Sequence, residues 1–218
     1  SDTPHESMLK SVVQLLKPNG SIILAIENQM GLKYFAGAPE DHLQIPLYGV
    51  EDRYAVREPR TFGQETLREM FNGVGLTNLL FLAPYPDYKL PRSIVSETGF
   101  EHTGFDASVF AWQSARHDLQ LPRSEKLTFA PELAWLPVFK EGLGLALSNS
   151  FLVLASNNVA TNIDKSVLAY HYSTDRLREY CKETLFKVDH SGQILVTPAL
   201  LSPTTENKRS QSVIRAVH

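Results

Sequence analysis

The apolar run Ile22-Ile23-Leu24-Ala25-Ile26 is entered through Pro18-Asn19-Gly20 and left abruptly at Glu27-Asn28, and it constrains the fold more than any other feature. A short continuous apolar run bounded by turn signals has the pattern of a buried strand. The residues before it read as a helix. Thr3 can cap, Pro4 suits the first turn, and Glu6 completes a capping box. Met8, Leu9, Val12, Val13 and Leu16 share one helical face, and Lys17-Pro18-Asn19-Gly20 ends the helix. Helix, tight turn and buried strand form the second half of a βαβ unit whose first strand lies upstream, so an α/β sheet is expected.

At Glu27 the chemistry changes. Glu27, Asn28, Lys33, Tyr34, Gly31, Gly37 and the group Glu40-Asp41-His42 follow the strand closely. In open α/β sheets ligands bind outside the carboxyl ends of strands, so a buried strand ending in dense polar residues reads as the lip of a site. An exposed strand end followed by an ordinary polar loop has the same pattern. Residues 31–60 contain Gly31, Gly37, Pro39, Pro46, Gly49 and Pro59, and also Tyr34, Phe35, Tyr48 and Tyr54. Loops this long are functional or disordered, and the aromatics argue against disorder. A partly ordered flap over a pocket is expected.

A second helix follows Arg60-Thr61-Phe62-Gly63, with Leu67, Met70, Phe71 and Val74 at helical spacing and Gly73 and Gly75 as its stop. Residues 76–83 read as a strand, and Pro84-Tyr85-Pro86-Asp87-Tyr88-Lys89 places a second polar and aromatic cluster after it. Residues 90–130 carry little pattern beyond a short helix over 105–115. Residues 131–147 read as a helix and 151–155 as a strand. Beyond Asn157, residues 167–172, 184–188 and 193–197 read as short strands, with Ser191-Gly192 as a hairpin turn. Residues 202–211 read as a linker. A boundary near Asn157 divides the chain into 1–157 and a β-rich appendage over 158–218 that leads toward possible downstream domains.

Net charge is -3 with no long charge run, which gives no electrostatic case for nucleic acid or an anionic membrane surface. Cys181 is the single cysteine, so an internal disulfide or a zinc cluster is excluded, and a reducing compartment, the cytoplasm, is expected. The apolar stretch 143–155 is broken by Ser148-Asn149-Ser150 and is too short to span a bilayer. No signal peptide is visible. His102, His117, His171 and His190 lack metal-ligand spacing, so no metal site is expected. The start without Met and the close at Ala216-Val217-His218 read as cuts through a longer protein.

Leu16-Lys17-Pro18-Asn19-Gly20 before residues 22–26 is similar to the "LLKPGG" turn and fifth strand of class I S-adenosylmethionine-dependent methyltransferases. The blocks Ile26-Glu27-Asn28-Gln29-Met30-Gly31-Leu32-Lys33-Tyr34, Gly37-Ala38-Pro39-Glu40-Asp41-His42 and Tyr85-Pro86-Asp87-Tyr88-Lys89-Leu90-Pro91 resemble a bacterial subgroup of that family associated with surface-polysaccharide synthesis. The resemblance covers residues 3–156. It implies a truncated Rossmann-like methyltransferase sheet, strands five to seven with flanking helices, followed by a small β-rich segment. It also implies that residues 151–155 form the seventh strand, antiparallel and inserted between 21–26 and 76–83. The family's glycine-rich turn and ribose-binding acid belong to its first two strands, and the sequence has no GxGxxG-like pattern.

The implied activity is transfer of a methyl group from S-adenosylmethionine to an oxygen of a sugar, sugar phosphate or related small acceptor. For that chemistry His42 is the candidate base, with Asp41 orienting it or acting itself. Glu27 and Asn28 are the candidate cofactor contacts. Lys33, Lys89 and Arg60 are candidates for an anionic acceptor, Tyr34, Tyr85 and Tyr88 for stacking, and Glu40 and Asp87 complete the substrate-binding set. Each residue has an ordinary reading too: loop capping, surface charge or packing. A non-catalytic binding or interaction module derived from a methyltransferase is the alternative. A nucleotide-sugar transferase fits less well, because the sequence has no DxD-type metal site.

Overall fold

The computed structural model describes residues 3–122, 126–157 and 163–202, with the backbone of 214–215. Helix α1 (Pro4–Gln14) starts as expected. The Thr3 hydroxyl accepts the Glu6 N–H at 3.3 Å, and the Glu6 carboxylate accepts the Thr3 N–H at 2.7 Å. Leu9, Val13 and Leu16 pack half-buried against the core. Asn19 takes a positive φ of 64°, and the chain turns into β1 (Ser21–Glu27). There follow α2 (Leu32–Phe35), α3 (Gln64–Gly73), β2 (Asn78–Tyr85), β3 (Ser93–Ser96), α4 (Glu97–Glu101), α5 (Ser108–Ala115) and α6 (Pro131–Lys140). The remaining elements are β4 (Ser150–Ser156), β5 (Val167–Ser173), β6 (Lys182–Val188), β7 (Ile194–Leu200) and the two-residue β8 (Ile214–Arg215).

The strands form a single eight-stranded sheet of order β1-β4-β2-β3-β5-β6-β7-β8, and every neighbouring pair is antiparallel. Strand β4 lies between β1 and β2, with Leu154 opposite both Ile23 and Leu80, and Val153 opposite both Leu24 and Phe81. Strands β1 and β2 therefore run in the same direction with one reversed strand between them. This is the arrangement implied for 21–26, 151–155 and 76–83. The core is built around β4, where Phe151, Val153 and Ala155 are fully buried and Phe81 meets Phe151 edge-on at 5.6 Å. Phe71 of α3 and Trp135 of α6 belong to the same apolar cluster.

The structure departs from the sequence reading in four places. Strand β1 is not buried on both faces. Ile22, Leu24 and Ile26 pack half-buried on the core, but Ile23 is 68 % exposed, because β1 ends the sheet. The strand expected over 76–83 runs from Asn78 to Tyr85, and β3 pairs on the side away from β4. That four-residue strand was hidden in the weakly patterned stretch. The strands after Asn157 join the same sheet through β3, and Phe186 of β6 packs against Phe105 and Phe110 at 5.6 and 5.4 Å. A Cβ on Gly99 of α4 would collide with the Leu168 carbonyl oxygen, so glycine is what lets this helix lie against β5. Finally, α6 stops at Lys140 and does not run to 147, because Gly142 takes a φ of 73° and breaks the helical path. Most of the linker expected over 202–211 lies outside the described residues. Among the described residues no helix is long and apolar enough to cross a membrane.

Phe151→Ala removes a fully buried ring from the core between β1 and β2, and urea unfolding should show a loss of about 3–5 kcal/mol. A loss below about 1 kcal/mol would place β4 outside the core. Among the described residues no strand pairs with the outer edge of β1 beside the exposed Ile23, and such an edge is a template for pairing with a second chain. Sedimentation velocity should show concentration-dependent self-association that Ile23→Lys relieves. A wild-type chain that stays monomeric at every concentration tested would count against an unprotected edge.

Candidate functional site

The polar groups gather where β1 and β2 end and β4 begins. Asn28, fully buried, fixes the exit from β1. Its amide donates to the Ala146 and Ser148 carbonyls at 2.8 and 2.7 Å, and its Oδ1 accepts the Met30 N–H at 3.0 Å. A Cβ on Gly31 would stand 3.1 Å from Asn149 Cα, so glycine is what lets the chain pass close to the start of β4. The short α2 then carries Lys33 and Tyr34 back over the strand end, and Asn149 Oδ1 accepts the Lys33 N–H at 3.0 Å.

Lys33 is the centre of the cluster. Its ammonium donates to Glu27 Oε2 at 2.6 Å, to Gln120 Oε1 at 2.6 Å and to Asp41 Oδ1 at 3.3 Å. The Gln120 amide returns bonds to Glu27 Oε1 at 3.3 Å and Asp41 Oδ1 at 3.1 Å. The Tyr34 hydroxyl donates to Asp41 Oδ2 in a short hydrogen bond. Burial, and then the Asp41 and Glu27 carboxylates, push the Tyr34 phenol far above its ordinary pKa, so it stays a proton donor. Lys89 reaches Glu27 from the far side through a second short ion pair. Burial works against the Lys89 ammonium, but the Glu27 hydrogen bond and charge outweigh it and raise its pKa. Asp118 joins through Asn149, which donates to Oδ2 at 3.0 Å, and burial raises its carboxyl against the opposing pull of the Gln120 N–H and Lys33.

The flap is held down by its own side chains. Glu40, 1 % exposed, accepts the His42 and Leu43 N–H groups at 2.7 and 2.6 Å and the Tyr54 hydroxyl at 3.1 Å. Gln29 reaches the Gly49 carbonyl at 2.8 Å, and Arg60 lies over the Tyr54 ring and pairs with Asp52. Beneath the flap, Lys33, Pro39, Asp41, Gln44 and Gln120 line a cleft of about 260 Å³. At the end of β2, Asp87 Oδ1 accepts the Lys89 N–H at 2.8 Å, while its Oδ2 is buried with no hydrogen-bond partner among the described residues. Lys89 is half-exposed beside the Tyr88 ring.

Of the residues singled out in the sequence, Glu27, Lys33, Tyr34, Asp41 and Lys89 form one network, with Asp87 and Tyr88 at its rim. Asn28 and Glu40 are spent on loop geometry. Tyr85 is a core residue whose hydroxyl donates to the Gly144 carbonyl at 3.2 Å. His42 is exposed, and its backbone N–H is what ties it to Glu40. Gln120, Asp118 and Asn149 were missed. Asn149 had a usable signal, because a reversed strand between 21–26 and 76–83 must begin where they end. Asp118 and Gln120 arrive from an unpatterned loop and had none. Among the described residues no group of three or more His, Cys, Asp or Glu is placed to hold a metal ion. Comparisons with protein-family models, curated proteins and solved structures give no match to this chain.

Lys33→Met strands two carboxylates around an apolar side chain. Breaking a buried pair in this way typically costs about 3–5 kcal/mol, and Lys33→Met/Glu27→Gln should recover part of it. Urea unfolding of both variants checks this. A Lys33→Met loss near zero would mean that water reaches the cluster.

Proposed function

We propose that this chain is the acceptor-side part of an S-adenosylmethionine-dependent methyltransferase. It acts within a longer protein that carries the glycine-rich turn, and the methyl goes to an oxygen of a sugar, sugar phosphate or related small acceptor. One observation carries the reading: a reversed β4 between two co-directional strands, with the polar network at the carboxyl ends of both. The resemblance of residues 16–42 and 85–91 supports it.

The residues described do not themselves fit the cofactor. Glu27 already accepts from Lys33, Lys89 and Gln120, and both amide hydrogens of Asn28 are donated to carbonyls. Both residues, assigned to the cofactor on sequence grounds, are buried and neither lines the cleft. What the chain contributes is an acceptor wall. Asp41 lines the cleft and can accept the hydrogen of an acceptor hydroxyl, while Tyr34 and Lys33 fix its orientation. Lys89, at the half-exposed rim, offers a positive charge to an anionic acceptor. Alignment of reactants is the main task in such a displacement.

A non-catalytic binding module is the second reading, favoured by the internal charge balance of Glu27 and Asp41 against Lys33 and Lys89. Kinetics of the longer protein separate the two. Asp41→Asn should lower turnover by about 10² to 10⁴, the range of a general base, with cofactor affinity little changed. His42→Ala should leave turnover near wild type. The 218-residue chain alone should give no saturable calorimetric signal with S-adenosylmethionine. Tight one-to-one binding by this chain would overturn the assignment of the cofactor to other residues. Unchanged turnover in Asp41→Asn would remove Asp41 from the chemistry.

A further inference from the structure

A second pocket, of about 310 Å³, opens between the C-terminal end of α5 and the strands β3 and β5. Arg92, His117, His171, Tyr172, Asp175 and Arg176 bring its charged and titratable groups. Asp175 is the one carboxylate lining it among the described residues. The floor is built, not incidental. Arg92 is clamped by backbone bonds on two sides, its N–H to the Tyr85 carbonyl and its carbonyl from the Tyr172 N–H, both 2.7 Å. Ser93, 1 % exposed, holds His171 Nδ1 at 2.9 Å, and the Phe110 ring lies 6.0 Å from that imidazole.

The Arg92 guanidinium makes a two-pronged contact with Asp175, Nη1 to Oδ2 at 2.6 Å and Nη2 to Oδ1 at 3.0 Å. This fork takes a phosphate as readily as a carboxylate. The carboxylate that fills it is 67 % exposed, so water can take over its hydrogen bonds when another anion displaces it. The surroundings repel cations from one another. Burial, then Arg92, Lys182 and Arg176, hold the His171 imidazole below its ordinary pKa. A cluster of positive groups facing one exchangeable carboxylate gains energy when a stronger anion enters. The volume is at the lower end of small-ligand pockets, which leaves room for a phosphate and a modest attached group.

We propose that this pocket binds a small phosphate-bearing ligand between Arg92 and Arg176, with Asp175 as the internal anion that the ligand displaces. The inference does not rest on the methyl-transfer reading. It is tested by calorimetric titration of the full chain at low ionic strength with inorganic phosphate and with glucose 1-phosphate, and glucose serves as the uncharged control. Saturable binding of phosphate is expected, tighter for the sugar phosphate and absent for glucose. Arg92→Gln should weaken it at least tenfold, and Asp175→Asn should strengthen it severalfold by removing the competitor. Arg176 is exposed, so Arg176→Gln spares the fold and should still weaken binding. No saturable heat with either anion, or equal affinity in wild type, Arg92→Gln and Arg176→Gln, overturns the proposal. Weaker binding in Asp175→Asn overturns the role given to that carboxylate.

Discussion

Burying the Lys33 ammonium at 1 % exposure obliges the chain to deliver an oxygen to each of its three hydrogens. Those oxygens come from the end of β1, from the flap and from the loop after α5, through Glu27, Asp41 and Gln120. Two segments close to Lys33 in sequence and one 87 residues away are thus fixed by one cation, which itself sits on a four-residue helix. Without that partner Glu27 would be an unpaired carboxylate under the flap, and Lys89 alone, half-exposed, is a poor substitute. The cleft beside Asp41 exists because this network keeps the flap and the 118–120 segment at a set distance from the strand end.

Order along the chain was legible wherever one interaction of short range decides the structure. The Thr3–Glu6 box, the Pro18-Asn19-Gly20 turn and the Asp189–Gly192 hairpin turn are local, and their residues announce them. The strands 21–27, 78–85 and 150–156 follow from apolar runs. The site was legible only in outline. Both polar blocks stood out by their position after strands, yet Lys33 and Lys89 read equally well as surface charges, since nothing local reports that Glu27 lies between them. His42 drew attention through its imidazole, while the group in the cleft is its neighbour Asp41. Strand β3 is four residues long and owes its existence to partners on both sides, so its own sequence could not specify it.

The sheet is asymmetric in what protects it. On one side β2 passes into β3 and then into the hairpin strands β5 to β7, and the Phe105, Phe110 and Phe186 rings join this half to the helices. On the other side, among the described residues, β1 is the last strand, although its residues are as apolar as those of an interior strand. Composition and position disagree there. The Ile-rich sequence is suited to neighbours on both edges, and the structure supplies one.

The two polar centres share their supports. Segment 85–92 gives Asp87 and Lys89 to the network around Lys33 and Arg92 to the cationic pocket. Segment 114–120 gives Ser114 and His117 to the pocket, and Asp118 and Gln120 to the network. After α5 ends at Ala115 this second segment has no regular structure, so its path depends on side chains. Asp118 supplies the anchor, with one oxygen taking the Gln120 N–H at 2.9 Å and the other taking Asn149 at 3.0 Å. A half-buried carboxylate whose charge is disfavoured by desolvation is a costly anchor, and its two hydrogen bonds are what make it tolerable. The position of His117 at the mouth of the pocket is therefore inherited from contacts made to β4. A ligand held between Arg92 and Arg176 would meet, at His117, a wall already set in place by the Lys33 network, and the ordering of that wall belongs to folding rather than to binding.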